Sequence, residues 1–167
     1  EQDLYLTCPV CEGDLFDKYN INVLTKIYEK NIIDIYKMEI GSLLNFFNDD
    51  RIKNLINTMV SLGLSHLQLK RKTQTLSGGE LRRVKLCESL SRQRVSKKIL
   101  IIDEPAAGLD PETASKVVSF IYNKVHMFES IILIEHRPEV IKYADYEVTI
   151  GPGSGRDGGK VLKNYFK

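Results

Sequence analysis

The apolar run Ile99-Leu100-Ile101-Ile102 ends in two adjacent carboxylates, Asp103 and Glu104, followed at once by Pro105. A buried strand ending this way presents both acids at the carboxyl edge of a sheet, where α/β proteins place their ligands. Asp103 suits a Mg²⁺ ion held directly or through water, and Glu104 suits the polarisation of water attacking a terminal phosphate. Taken alone, such a pair is equally a solvated strand end. Upstream, Leu76-Ser77-Gly78-Gly79-Glu80 places a hydroxyl and two glycines ahead of a helical pattern. Backbone N–H groups and the helix dipole could there face an anion, and glycine lets a phosphate approach closely. An N-cap followed by a flexible turn is the plainer reading of that triplet.

Two further positions follow, one on the same edge and one in the loop that leaves the first strand. His136 follows the apolar run Ile131–Ile134 in the stretch Ile134-Glu135-His136-Arg137, so a γ-phosphate contact is within its chemistry. Asp110, in Ala106-Ala107-Gly108-Leu109-Asp110-Pro111, is first of all an N-cap by position, with Pro111 at the first helical position.

These groups need a scaffold, and the periodicity supplies one. A helix opens at the Gly pair with Leu81, Val84, Cys87 and Leu90 on one face. A strand follows at Ile99–Ile102, then a helix from Asp110 with the stripe Val117, Val118, Ile121 and Val125. A strand at Ile131–Ile134, a short helix after Pro138, a strand at Tyr146–Ile150 and a glycine-rich tail Gly151–Gly159 complete the pattern. Near-continuous apolar strands separated by helices predict an α/β fold whose parallel sheet is covered on both faces. Before the Gly pair, residues 42–62 predict two helices broken near Asn48-Asp49-Asp50. Residues 1–40 read as a small appendage with a Cys8-Pro-Val-Cys11 knuckle and an alternating stretch Ile21, Val23, Thr25, Ile27. The expected organisation is 1–40 as appendage, 41–98 as a helical signature subdomain and 99–167 as the catalytic core.

With 167 residues and 43% hydrophobic content, one sizeable core is expected. No run approaches a membrane span, no signal peptide opens the chain, and a soluble cytoplasmic protein is expected. Three cysteines make no disulfide framework, and Cys87 reads as a small buried hydrophobe. A first residue of Glu1 points to a processed, excised or trimmed chain. Charge is uneven: residues 70–98 hold ten Lys/Arg against two Glu. That island is either a solvated helix face or an attraction for a phosphate backbone.

The ordered set of signature Leu76–Glu80, strand-terminal Asp103-Glu104-Pro105, the Gly108-Leu109-Asp110 loop and strand-terminal His136 resembles the ABC ATPases. Within them the chain is similar to the UvrA-type subunit of the DNA-repair excinuclease. That likeness is carried by Arg82-Arg83-Val84-Lys85-Leu86 after the signature, by Glu135-His136-Arg137 with Val140–Asp145, by the tail Ile150–Gly159, and by Cys8-Pro-Val-Cys11-Glu-Gly. It extends over essentially the whole chain. Two departures stand out: the strongly basic Lys70-Arg71-Lys72, and Thr149 where an Asp is usual.

The resemblance implies a partial nucleotide-binding domain with parallel sheet and flanking helices, plus half of a zinc module. It implies ATP and Mg²⁺ as cofactors, with Zn²⁺ in the intact protein. Glu104 and His136 would be catalytic, Asp103 would hold magnesium, and Ser77, Gly78, Gly79, Glu80, Asp103 and Asp110 would serve ATP. Cys8 and Cys11 would be half of the zinc site, and Lys70, Arg71, Lys72, Arg82 and Arg83 would contact DNA. No Gly-x-x-x-x-Gly-Lys-Ser/Thr phosphate loop occurs in these 167 residues, so the chain alone should hydrolyse ATP negligibly. Implied partners are the half carrying that loop (Walker A), a second nucleotide-binding domain, DNA, a second copy of the intact protein and a UvrB-like repair protein. The implied function is damage recognition in nucleotide excision repair. A catalytically silent zinc and DNA-binding module, or a UvrA-like antibiotic-resistance paralogue, is the alternative.

Overall fold

The computed structural model describes residues 7–13, 15–17, 19–20, 24–92, 95, 97–153 and 158–167. Two compact units divide the chain, Glu1–Ser77 and Gly78–Lys167. The break falls inside the signature run, so the helix that follows it belongs to the second unit.

In the first unit, α1 (Ile32–Lys37) starts at a reciprocal cap: the Asn31 side chain accepts the Asp34 N–H while the Asp34 carboxylate accepts that of Asn31. A 3-10 helix at Ile40–Asn45 replaces the first of the two expected helices. The second is α2 (Asp50–Ser61), capped by the Asp49 carboxylate on the Arg51 and Ile52 N–H groups. It ends at Gly63, whose φ of 73° brings the Leu64 N–H to the Met59 carbonyl. Ile35, Ile40, Leu43, Ile56, Leu62, Leu64 and Leu67 form the core of this unit. Ile21 and Val23 of the expected alternating stretch lie outside the described residues. Ile27 forms only an isolated bridge with Lys30, because Tyr28 and Glu29 turn the chain through positive φ.

The second unit carries the chemistry. Its elements are α3 (Gly78–Ser91), β1 (Ile99–Asp103), α4 (Pro111–Tyr122), β2 (Ser130–Ile134), α5 (Pro138–Ile141), β3 (Tyr146–Ile150) and β4 (Val161–Phe166). Parallel pairing of β1 with β2 sets Asp103 opposite Ile134. The crossover helix α4 begins where expected, with the Asp110 carboxylate accepting the Glu112 and Thr113 N–H groups. Ala114, Val117, Val118 and Ile121 recur at helical spacing and are buried. Val125 lies past the end of the helix in a 3-10 turn and is exposed, which removes it from the stripe.

The expected α/β architecture, parallel strands with flanking helices, is present in the β1–β2 pair. Among the described residues a separate antiparallel β3–β4 pair adds to it, and β4 was not foreseen because every residue in it is exposed and no alternation marks it. Covering is one-sided. Leu133 packs towards Val118 and Val140, while Ile99, Ile101, Ile132 and Ile134 on the opposite face remain exposed. Between β2 and β3 runs a groove of about 550 Å³, lined by Ile132, Leu133, Tyr146 and Val148 over Val118 and Ile121. The glycine-rich tail is described only in part, since residues 154–157 lie outside the described set.

Candidate functional site

Parallel pairing brings the carboxyl ends of β1 and β2 side by side, and with them Asp103, Glu104 and His136. The Glu104 N–H extends the ladder to the Ile134 carbonyl at 3.0 Å. Its φ of 43° then turns the chain sharply. Left-handed backbone at a non-glycine residue is strained, and such strain concentrates at functional sites. His136 Nδ1 stands 3.8 Å from Glu104 Oε1. From α3, Arg82 reaches the same acids, with Nη1 at 3.0 Å from Glu104 Oε2 and Nη2 at 3.5 Å from Asp103 Oδ2. Two hard carboxylate oxygens at an open sheet edge suit a Mg²⁺ ion that keeps most of its water.

The loop from Pro105 to Asp110 is clamped from both sides. On one side Arg83, only 3% exposed, donates from Nη1 to the Ala107 carbonyl at 2.9 Å and, more weakly, to that of Pro105 at 3.5 Å. Burial pushes its guanidinium below the ordinary value, and the charge of Glu80 opposes that shift. On the other side the Glu135 carboxylate accepts the Ala106 N–H at 3.3 Å and the His136 N–H at 3.1 Å. Arg137 donates to the Ala106 and Leu109 carbonyls at 2.8 and 3.0 Å, and is itself held by Glu139. A single short loop thus connects the signature helix to the strand-terminal histidine.

Glu135 and Arg137 are residues to which reading for chemistry gave no role, and the inward-facing Arg83 is one to which it gave a different role. The signal lay in charged residues immediately flanking a strand-terminal histidine and on the apolar side of a helix. Arg83 was expected among the DNA-facing cations, and its placement inside the fold corrects that: its donors are turned to the loop. Lys70, Arg71 and Lys72 are exposed, with Arg71 also donating to the Thr75 carbonyl at 3.0 Å. Ser77 is exposed, and Gly78 and Gly79 form the first turn of α3.

Cys8 is exposed and Cys11 partly so. The backbone N–H groups of Cys11 and Val10, with the Cys11 thiol, hold the Cys8 thiol below its ordinary value. Two thiols are half of a tetrahedral set, and among the described residues no group of three or more His, Cys, Asp or Glu could hold a metal ion. Nor is any helix among them long and apolar enough to cross a membrane.

A sequence model of the family described as ABC transporter matches residues 13–107, which include the signature and the Asp103-Glu104 pair. The chain is 37% identical over 161 residues to UvrABC system protein A of Clostridium acetobutylicum, covering 96% of this chain and 17% of that protein. The same identity and coverage hold for UvrABC system protein A of Staphylococcus aureus. Among solved structures, UvrA2 from Deinococcus radiodurans superposes with a TM-score of 0.84 at 30% identity, over 96% of this chain and 20% of that one. The chain therefore spans about a sixth of the length of the curated relatives it matches.

Proposed function

The chain belongs to the ABC-ATPase family, and from that premise we propose that it is the signature-bearing and catalytic part of a UvrA-like, ATP-driven DNA-damage-binding protein of nucleotide excision repair. The observation that carries this reading is the convergence of Asp103, Glu104 and His136 at one sheet edge, in a chain aligned over nearly its whole length with UvrABC system protein A. Asp103 would hold Mg²⁺, Glu104 would orient the attacking water and take its proton, and His136 would face the terminal phosphate. When bound with ATP, Mg²⁺ supplies charge neutralisation at the phosphates. Ser77, Gly78, Gly79 and Glu80 would close over a nucleotide held by a second nucleotide-binding domain, with Asp110 at the junction. Lys70, Arg71 and Lys72 would contact DNA phosphates, a UvrB-like partner would receive the DNA, and Cys8 and Cys11 would join two further ligands on Zn²⁺. A cytoplasmic location fits these roles.

Completion by a half carrying the phosphate loop is part of the proposal. The groove between β2 and β3 supports it, because among the described residues neither strand has a pairing partner other than β1 and β4, and the two share an apolar floor over which an added strand would fit. The test is ATP hydrolysis by the chain with and without a separately expressed half bearing that loop. Activity only in the mixture, abolished by Glu104→Gln, is expected. An inactive mixture would favour the catalytically silent binding module.

A further inference from the structure

Arg82 reaches from α3 across to the end of β1 and binds, through one guanidinium, both carboxylates assigned above to metal and water. Other charged groups around the site are committed elsewhere. The Glu135 carboxylate is taken by the Ala106 and His136 N–H groups, Arg137 by Glu139 and two loop carbonyls, and Arg83 by the loop carbonyls of Pro105 and Ala107. His136 approaches only the other oxygen of Glu104. The side chains of Arg82, Asp103 and Glu104 are 45%, 55% and 41% exposed, so an ion from solvent can reach the acids.

We propose that Arg82 is the built-in counter-ion of this site: it occupies Asp103 and Glu104 before a divalent cation arrives, and thereby sets the affinity for that cation. The inference rests on the reading of Asp103 as the metal-holding residue. Its physics is competition. The guanidinium takes acceptor positions that a cation needs, and its charge repels a dication only a few ångströms away. Removing it leaves two neighbouring carboxylates of like charge, which favours a cation between them. The pair is half-exposed and monodentate at each acid, a type of ion pair that is weak in water, so the cation can displace Arg82 without rearrangement of the fold. Arg82 is accordingly a positioning residue for the site, in place of the DNA contact its charge had suggested.

Mn²⁺ titration followed by electron paramagnetic resonance tests this on the chain itself, with no nucleotide present. Arg82→Gln should bind Mn²⁺ roughly tenfold more tightly than wild type, as expected for removing a unit charge from beside a dication. Arg82→Lys, which keeps the charge, should remain near wild type. Adding Asp103→Asn to Arg82→Gln should erase the gain. Equal affinity of Arg82→Gln and wild type, with Asp103→Asn weakening both, would overturn the role of Arg82 and leave the metal assignment standing. If Asp103→Asn changes nothing in either background, the metal assignment fails and the inference falls with it.

Discussion

A Cβ placed on Gly79 would stand 2.5 Å from the carbonyl oxygen of Ala107. The first turn of the signature helix therefore lies backbone against backbone on the loop that leaves β1, and the absence of a side chain is what permits it. Gly79→Ala must push one of the two backbones aside, and a destabilisation of about 1–3 kcal/mol is expected. Gly78 has nothing within 4 Å of its own Cβ position, so Gly78→Ala should change stability by less than about 0.5 kcal/mol. Urea unfolding of the two variants checks the contrast, and equal midpoints would refute the close approach.

Arg137 donates to two carbonyls of the same loop, one of them on the fully buried Ala106. Replacing it with Met keeps much of the apolar stem but removes the charged donor from both carbonyls, leaving that of Ala106 with the Leu109 N–H alone. A loss of about 1–3 kcal/mol is expected. Faster hydrogen exchange at the Leu109 amide, which donates to the Ala106 carbonyl, should accompany it. Unchanged exchange would mean that Arg83 and Glu135 hold the loop without Arg137.

How far these relations were visible beforehand depends on their physical origin. The acids, the histidine, the Asp110 cap and the β1–α4–β2 crossover were legible because each is written locally, as a strand end, a cap or a 3.6-residue stripe. The separate β3–β4 pair was not, since β4 is exposed throughout and has no buried face to impose alternation. Arg83 and Arg82 are neighbours in a basic run, and composition treats them alike. Helix geometry sends one into the fold and the other to the acids, a distinction that needs the partner elements and not the residue type.

Cys87 offers a stability test by pH. It is 4% exposed on the inner side of α3, its thiol donates to the Arg83 carbonyl at 3.3 Å, and burial pushes its pKa from 9.0 up to about 11. The unfolded chain ionises first, so the stability contributed by the neutral thiol is complete below pH 9.0 and is lost as pH rises towards about 11. That loss is at most about 3 kcal/mol. Unfolding measured across this range should fall more steeply for wild type than for Cys87→Ala, because the variant lacks the group while sharing every Tyr and Lys titration. Parallel pH profiles would show that the thiol is not sequestered.

The groove between β2 and β3 yields the last expectation. Ile132 and Val148 line it from opposite strands and are 47% and 48% exposed, so both stay in water unless another segment covers them. If a strand from the half bearing the phosphate loop enters there, it gains main-chain hydrogen bonds from two edges and apolar contact from the floor formed by Val118 and Ile121. Val148→Lys would place an ammonium group against that strand, and desolvating it opposes docking by several kcal/mol. Calorimetric titration of the upstream half into the chain should therefore show more than a tenfold loss of affinity for Val148→Lys, while Lys163→Ala on exposed β4, outside the groove lining, leaves it unchanged. Equal affinity for Val148→Lys and wild type would place the completing half outside the groove, on the open face of Ile99, Ile101 and Ile134, where a helix rather than a strand would be the natural cover.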